Sequence, residues 1–161
     1  MRALRIGFGF LLFALLAAVA QAQGHAGNFR AHLSGNEEAS PVATSAQGQA
    51  TFRVLPGGTA IQYRLIVANI EDVRMSHIHL APAGANGPIV VWLYPSAPPE
   101  VLIPGRSDGM LAVGVFTAAN LVGPLAGQTI EDLIAHIQAG NAYVNVHTVA
   151  FPSGEIRGQI R

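Results

Sequence analysis

The chain contains no cysteine and no lysine. The first absence excludes disulfides, thiolate metal sites and cysteine nucleophiles. The second leaves arginine as the only strongly basic residue. Just 11% of the 161 residues are charged, and the nine arginines are spread along the sequence without a run or a stripe. That pattern argues against nucleic acid and against an anionic membrane surface as partners. Also missing are an internal repeat, a Gly-x-Ser-x-Gly elbow and a phosphate-cradling glycine loop. Beyond the N-terminus, no apolar run approaches the ~20 residues that span a bilayer.

The N-terminus itself reads as a secretory signal over residues 1–22. Arg2 and Arg5 form its positive region, Ile6 to Ala20 is apolar and uncharged, and Ala20-Gln21-Ala22 is a small-x-small cleavage pattern. Ala18-Val19-Ala20 competes with it as a cleavage site. The expected address is therefore periplasmic or secreted, with no membrane span left after cleavage. Residues 23–28 read as a short flexible lead, and 29–161 as a single domain large enough to stand on its own core.

Within 29–161, apolar residues alternate with polar ones at the period of half-buried strands. Phe29, Ala31 and Leu33 open the series. Ala50, Phe52 and Val54 are followed by the turn Pro56-Gly57-Gly58 and by Ile61, Tyr63, Leu65 and Val67, which predicts a hairpin. Further strands are expected over Val73–Leu80, Pro88–Tyr94, Leu111–Phe116, Ala142–Val149 and Glu155–Ile160, with a loop over 95–109. One helix stands out. Thr129 and Asp132 have capping-box spacing, Ile130, Leu133, Ile134 and Ile137 line one face, and Gly140 suits its C-terminal end. The expected fold is all-β: an antiparallel β-sandwich or flattened Greek-key barrel with one short accessory helix.

Six histidines carry the main chemical signal. His77 and His79 lie two apart in a strand, so both face one side. By the same parity His147 points away from the face that Val144 and Val146 give to the core. Three imidazoles on one sheet face suit copper or zinc, and Met75, of the same parity, would add a thioether that favours reduced copper. The bland alternative is that these rings hydrogen-bond to backbone and hold a loop down. His136 falls beside the apolar stripe of the helix and reads as structural, and His32 as an exposed strand residue. If cleavage precedes Gln23, the new terminus Gln-Gly-His25 offers a Cu(II)-chelating set.

Two other features have paired readings. Val90, Trp92 and Tyr94 share a strand face and either stack on a sugar or partner protein, or are covered by the 95–109 loop. Asn86-Gly87-Pro88 is a turn that either feeds a strand or shapes the histidine site. The acidic neighbours Glu37-Glu38, Glu71-Asp72 and Glu131-Asp132 are expected at solvated turns and helix ends rather than as acid/base pairs.

The residues also form a family pattern. Phe29-Arg-Ala-His-Leu-Ser-Gly-Asn-Glu-Glu, Pro41-Val, Gly48-Gln-Ala-Thr-Phe, His77-Ile-His79, Gly84-Ala-Asn86-Gly87-Pro88, Tyr143-Val-Asn-Val-His147-Thr and Gly154-Glu155-Ile-Arg-Gly158-Gln together resemble the CHRD domain of chordin and of exported microbial proteins. The resemblance runs from about residue 28 to 161. It implies an immunoglobulin-like or superoxide-dismutase-like β architecture and no settled activity. The His77-Ile-His79 strand is also similar to the copper-ligand strand of copper-zinc superoxide dismutases. No bridging imidazole, zinc cluster or disulfide accompanies it, so the likeness extends to copper binding rather than to dismutation. Two functions are expected: a non-enzymatic binding module of the cell envelope with a protein or glycan partner, or a copper- or zinc-binding or superoxide-dismutase-like redox protein that uses His77, His79 and His147.

Overall fold

The structure, a computed structural model, describes residues 27–161. The stretch read as a secretory signal, its expected cleavage sites, His25 and residues 23–26 of the expected lead lie outside the described residues, and Asn28 already belongs to the first strand. Seven strands form one antiparallel sheet: β1 (Asn28–Ser34), β2 (Gln47–Val54), β3 (Ala60–Leu80), β4 (Ile89–Tyr94), β5 (Ile103–Thr117), β6 (Ala142–Thr148) and β7 (Ile156–Gln159). Their order is β2-β1-β7-β6-β3-β4, and β2 also pairs with β3. The sheet therefore closes on itself through β2, β1, β7, β6 and β3, a flattened barrel to which β4 and β5 add outside the ring. Among the described residues, no helix is long and apolar enough to cross a membrane.

The alternation expected in the first half is present. Gly48, Ala50, Phe52 and Val54 of β2 point inward, as do Ile61, Tyr63, Leu65 and Val67 of β3. Closing the barrel removes most sheet edges and buries these side chains against each other, which is where the hydrophobic stabilisation comes from.

Two expected boundaries are wrong. The separate strands over 61–67 and 73–80 are one 21-residue strand, β3. It bends between its halves without breaking: Asn69 and Asp72 take left-handed φ of 57° and 51°, a conformation Asn and Asp tolerate better than most residues. The bend is braced by β5, because the Asn69 N–H donates to Asp108 Oδ1 and the Gly105 N–H donates to Asp72 Oδ1, each at 2.7 Å. The first half of β3 pairs with β2 and β5, the second with β6 and β4. The second error is the loop over 95–109, whose end is strand: β5 starts at Ile103. Gly105 and Gly109 have φ of 77° and 109°. These glycines let β5 follow the irregular ladder of β3, so they mark bulges rather than turns.

The helix, α1 (Ile130–Gln138), forms as its sequence predicts. The Thr129 N–H donates to Asp132 Oδ2 at 2.8 Å, and the Asp132 N–H donates to Thr129 Oγ1 at 3.2 Å. Ile130, Leu133, Ile134 and Ile137 are buried, and Gly140 ends the helix at φ 73°.

Candidate metal centre

All seven residues of β6 and all four of β7 are buried. Parity sorts them between two interiors rather than between core and solvent. Val144 and Val146 enter the apolar barrel core. Tyr143, Asn145 and His147 face a second, polar interior that also holds His77, His79, Arg157 and Gln159. The histidines do point away from the apolar core, as expected, but the side they face is itself an interior. The face is covered by the 81–88 loop, by Trp92 on β4 and by the turn around Pro152. Val90, Trp92 and Tyr94 do not form one open face, and both aromatic rings are half-buried. Val90 is fully buried, and the Trp92 ring packs edge-on against His77 with centroids 4.2 Å apart.

The ladder brings the three rings together. His77 pairs with Asn145 across β3 and β6, His79 with Tyr143, and Met75 with His147. Centroid separations are 5.1 Å for His77–His147, 5.4 Å for His77–His79 and 5.9 Å for His79–His147. One nitrogen from each ring lies within 4.8 Å of the others. Met75 is half-buried, at a bulge in β3.

Backbone carbonyls set the tautomers. His79 Nδ1–H donates to the Gly87 carbonyl at 2.9 Å, and His147 Nδ1–H to the Pro152 carbonyl at 3.0 Å. A carbonyl only accepts, so both protons sit on Nδ1 and both Nε2 atoms carry lone pairs. His147 Nε2 lies 3.3 Å from His77 Nδ1. Nε2 of His77 and Nε2 of His79 are buried with no partner among the described residues. Burial pushes His77 down to about 3, helped by the neighbouring His147 and His79, and pushes His79 down to about 4. Burial also lowers His147, against the pull of the Pro152 carbonyl. At neutral pH the cluster is three uncharged imidazoles, the form that binds a metal.

Glycine at 87 is what allows the first of these bonds. A Cβ there would lie 1.8 Å from the Leu80 carbonyl oxygen. The Gly87 N–H also takes the Tyr143 hydroxyl as acceptor at 3.2 Å, and the Tyr143 ring stacks on His79 at 4.9 Å and 11°. Asn86-Gly87-Pro88 therefore shapes the histidine site, the second of its two readings.

Sequence reasoning missed the polar frame around the rings. The Arg157 guanidinium lies 3.5 Å over the Tyr143 ring and donates to the Ala85, Pro82 and Gln159 oxygens at 2.8, 2.9 and 3.0 Å. Glu38, expected at a solvated turn, is buried and accepts from Asn145 Nδ2 at 2.7 Å; burial raises its carboxyl above the usual range. Glu155 is buried too and accepts from the hydroxyls of Thr44 and Thr148. The available signal was the density of Asn, His, Thr, Glu, Arg and Gln in two short segments that otherwise alternate like core strands. His136 is half-buried on α1 and His32 is exposed on β1, so neither joins the cluster.

No curated protein and no solved structure matches the chain. The CHRD domain family model matches residues 29–160, which take in every strand but the first residue of β1 and the whole histidine cluster. The chain therefore belongs to the CHRD domain family.

Proposed function

We propose that this domain acts outside the cytoplasm and holds a single copper ion between His77, His79 and His147. The observation that carries the reading is the pair of backbone clamps on His79 and His147. Each fixes a ring with its proton on Nδ1 and leaves its buried Nε2 lone pair available to a metal, the arrangement that metal-binding histidines use. Two ligands 2.0–2.1 Å from one tetrahedral ion stand roughly 3.3–3.4 Å apart. The 3.3 Å between His77 Nδ1 and His147 Nε2 matches that spacing before any ion is bound. Binding then needs the His77 proton moved from Nδ1 to Nε2 and the His79 ring drawn inward. With three neutral ligands and no carboxylate in the set, copper is favoured over zinc on affinity, and singly charged copper on the cost of burial. Burial of all three rings favours holding an ion over admitting a substrate. The secretory signal read from residues 1–22 supports an envelope or secreted address, where an exchangeable copper site would operate.

The test is isothermal titration of metal-stripped protein, with its native N-terminus blocked, against Cu(I), Cu(II) and Zn(II). Copper should bind one per chain, tighter than about 1 μM. His79→Gln should weaken it at least tenfold, and His136→Gln should not change it. Zinc binding tighter than copper would make this a zinc protein. Absence of saturable binding would leave the histidines as a packed polar core.

A further inference from the structure

The arginines that look scattered in sequence assemble on the outer face of the barrel. Arg30 and Arg161 exchange both backbone hydrogen bonds, at 2.8 and 2.9 Å, so their side chains stand beside each other on one face. From Arg30 the row continues to Thr51 on β2, Arg64 on β3 and Val113 on β5. One step along the strands, Asn28, Arg53 and Gln62 form a second row of the same parity. All of these residues are exposed. With strands ~4.8 Å apart, Arg30 and Arg64 start about 10 Å from each other and Arg53 falls diagonally between them.

Four guanidinium groups thus border one open groove of about 710 Å³ whose lining contains no acidic residue. Like charges placed opposite one another across strands are destabilising. Among the described residues, the arginine ion pairs are Arg74–Glu100 and Arg106–Asp108, both elsewhere. Among the described residues Arg53 donates to a neutral partner, the Gln62 side-chain oxygen, at 3.0 Å. Glu37 lies beside Arg30 and Arg161 in the adjoining hollow, but among the described residues it makes no ion pair with either, so the row suits an anionic ligand.

We propose that this face binds an anionic polysaccharide, one whose sugars carry carboxylate or sulfate groups. The guanidinium forks match such oxyanions two bonds at a time. Asn28, Thr51 and Gln62 stand among them as donors and acceptors for sugar hydroxyls, and Val113 offers an apolar contact for a ring face. Nucleic acid fits less well, because base stacking needs open aromatic faces. Of the aromatics that line the groove, Phe52 and Tyr63 are buried and Phe29 is half-buried, and the Tyr63 hydroxyl is committed to the Leu93 carbonyl. The inference is independent of the metal centre, whose side chains belong to the covered polar interior.

The test passes the protein, with EDTA present throughout, over immobilised polygalacturonate and heparin at low salt. Dextran is the neutral control, and a single-stranded oligonucleotide and phosphatidylglycerol vesicles are competing ligands. At least one acidic polysaccharide should bind and dextran should not; which one binds tells carboxylate from sulfate. Binding should fade as salt rises toward 1 M. The double variant Arg30→Gln/Arg64→Gln should lose about tenfold in affinity with a thermal midpoint equal to or above that of wild type, while Arg106→Gln should bind as wild type does. Failure of both polysaccharides to bind, equal binding by the double variant, or tighter binding of the oligonucleotide or the vesicles would each overturn the proposal.

Discussion

His77 Nδ1 and His147 Nε2 stand 3.3 Å apart while the other ring nitrogen of His147 gives its proton to the Pro152 carbonyl. His147 Nε2 is therefore an acceptor, and in the metal-free protein His77 Nδ1 must carry the proton between them. All three rings should then be Nδ1–H tautomers, the less common form of neutral histidine. Long-range nitrogen–proton NMR of labelled, metal-stripped protein at neutral pH reads this directly. An Nε2–H pattern for His79 or His147 would contradict the clamps.

Acid should destabilise the metal-free protein in a defined window. An unfolded histidine titrates near 6.5, whereas burial holds folded His77 to about 3 and His79 to about 4. Above the unfolded value neither state takes a proton and stability is full. As pH falls below it, the unfolded chain binds protons that the folded chain refuses, so stability drops until the folded values are reached. His77 alone should cost about 2 kcal/mol near pH 5. Urea unfolding should show a steeper loss between about pH 7 and 5 for wild type than for His77→Gln; parallel curves would refute the assignment.

Gly87→Ala should disturb stability and site together. The added Cβ overlaps the Leu80 carbonyl, so the loop must move and take its own carbonyl away from His79. We expect a loss of about 2–3 kcal/mol in urea unfolding and copper affinity lower by at least about tenfold. Wild-type values for both would show that the loop is not what orients His79.

Arg157→Lys should be costly despite keeping the charge. A single ammonium lacks the planar fork that reaches the Pro82, Ala85 and Gln159 oxygens while lying flat on Tyr143. The expected loss is about 2–3 kcal/mol, against less than about 0.5 for Arg106→Lys on the surface. Equal effects in denaturant would remove the structural role given to Arg157.

How much was legible depended on the range of the interactions. Alternation in Ala50–Val54 and Ile61–Val67 reveals inward faces because each strand there has one side in water. The Thr129–Asp132 capping box and Gly140 are local devices and locate α1 almost to the residue. The His-x-His spacing at 77 and 79 places two rings on one side because a strand repeats every two residues.

The sequence by itself thus determined an all-β chain of the CHRD family, its one helix, and the shared parity of His77, His79 and His147. Only the tertiary structure decided that this shared face is an interior. Period two tells one side of a strand from the other, but not whether a segment distant in sequence covers it. The same limit hid the continuity of β3, the buried carboxylate of Glu38 and the convergence of Arg30, Arg53, Arg64 and Arg161. Each depends on the register between strands distant in sequence, which barrel closure sets and no local pattern encodes.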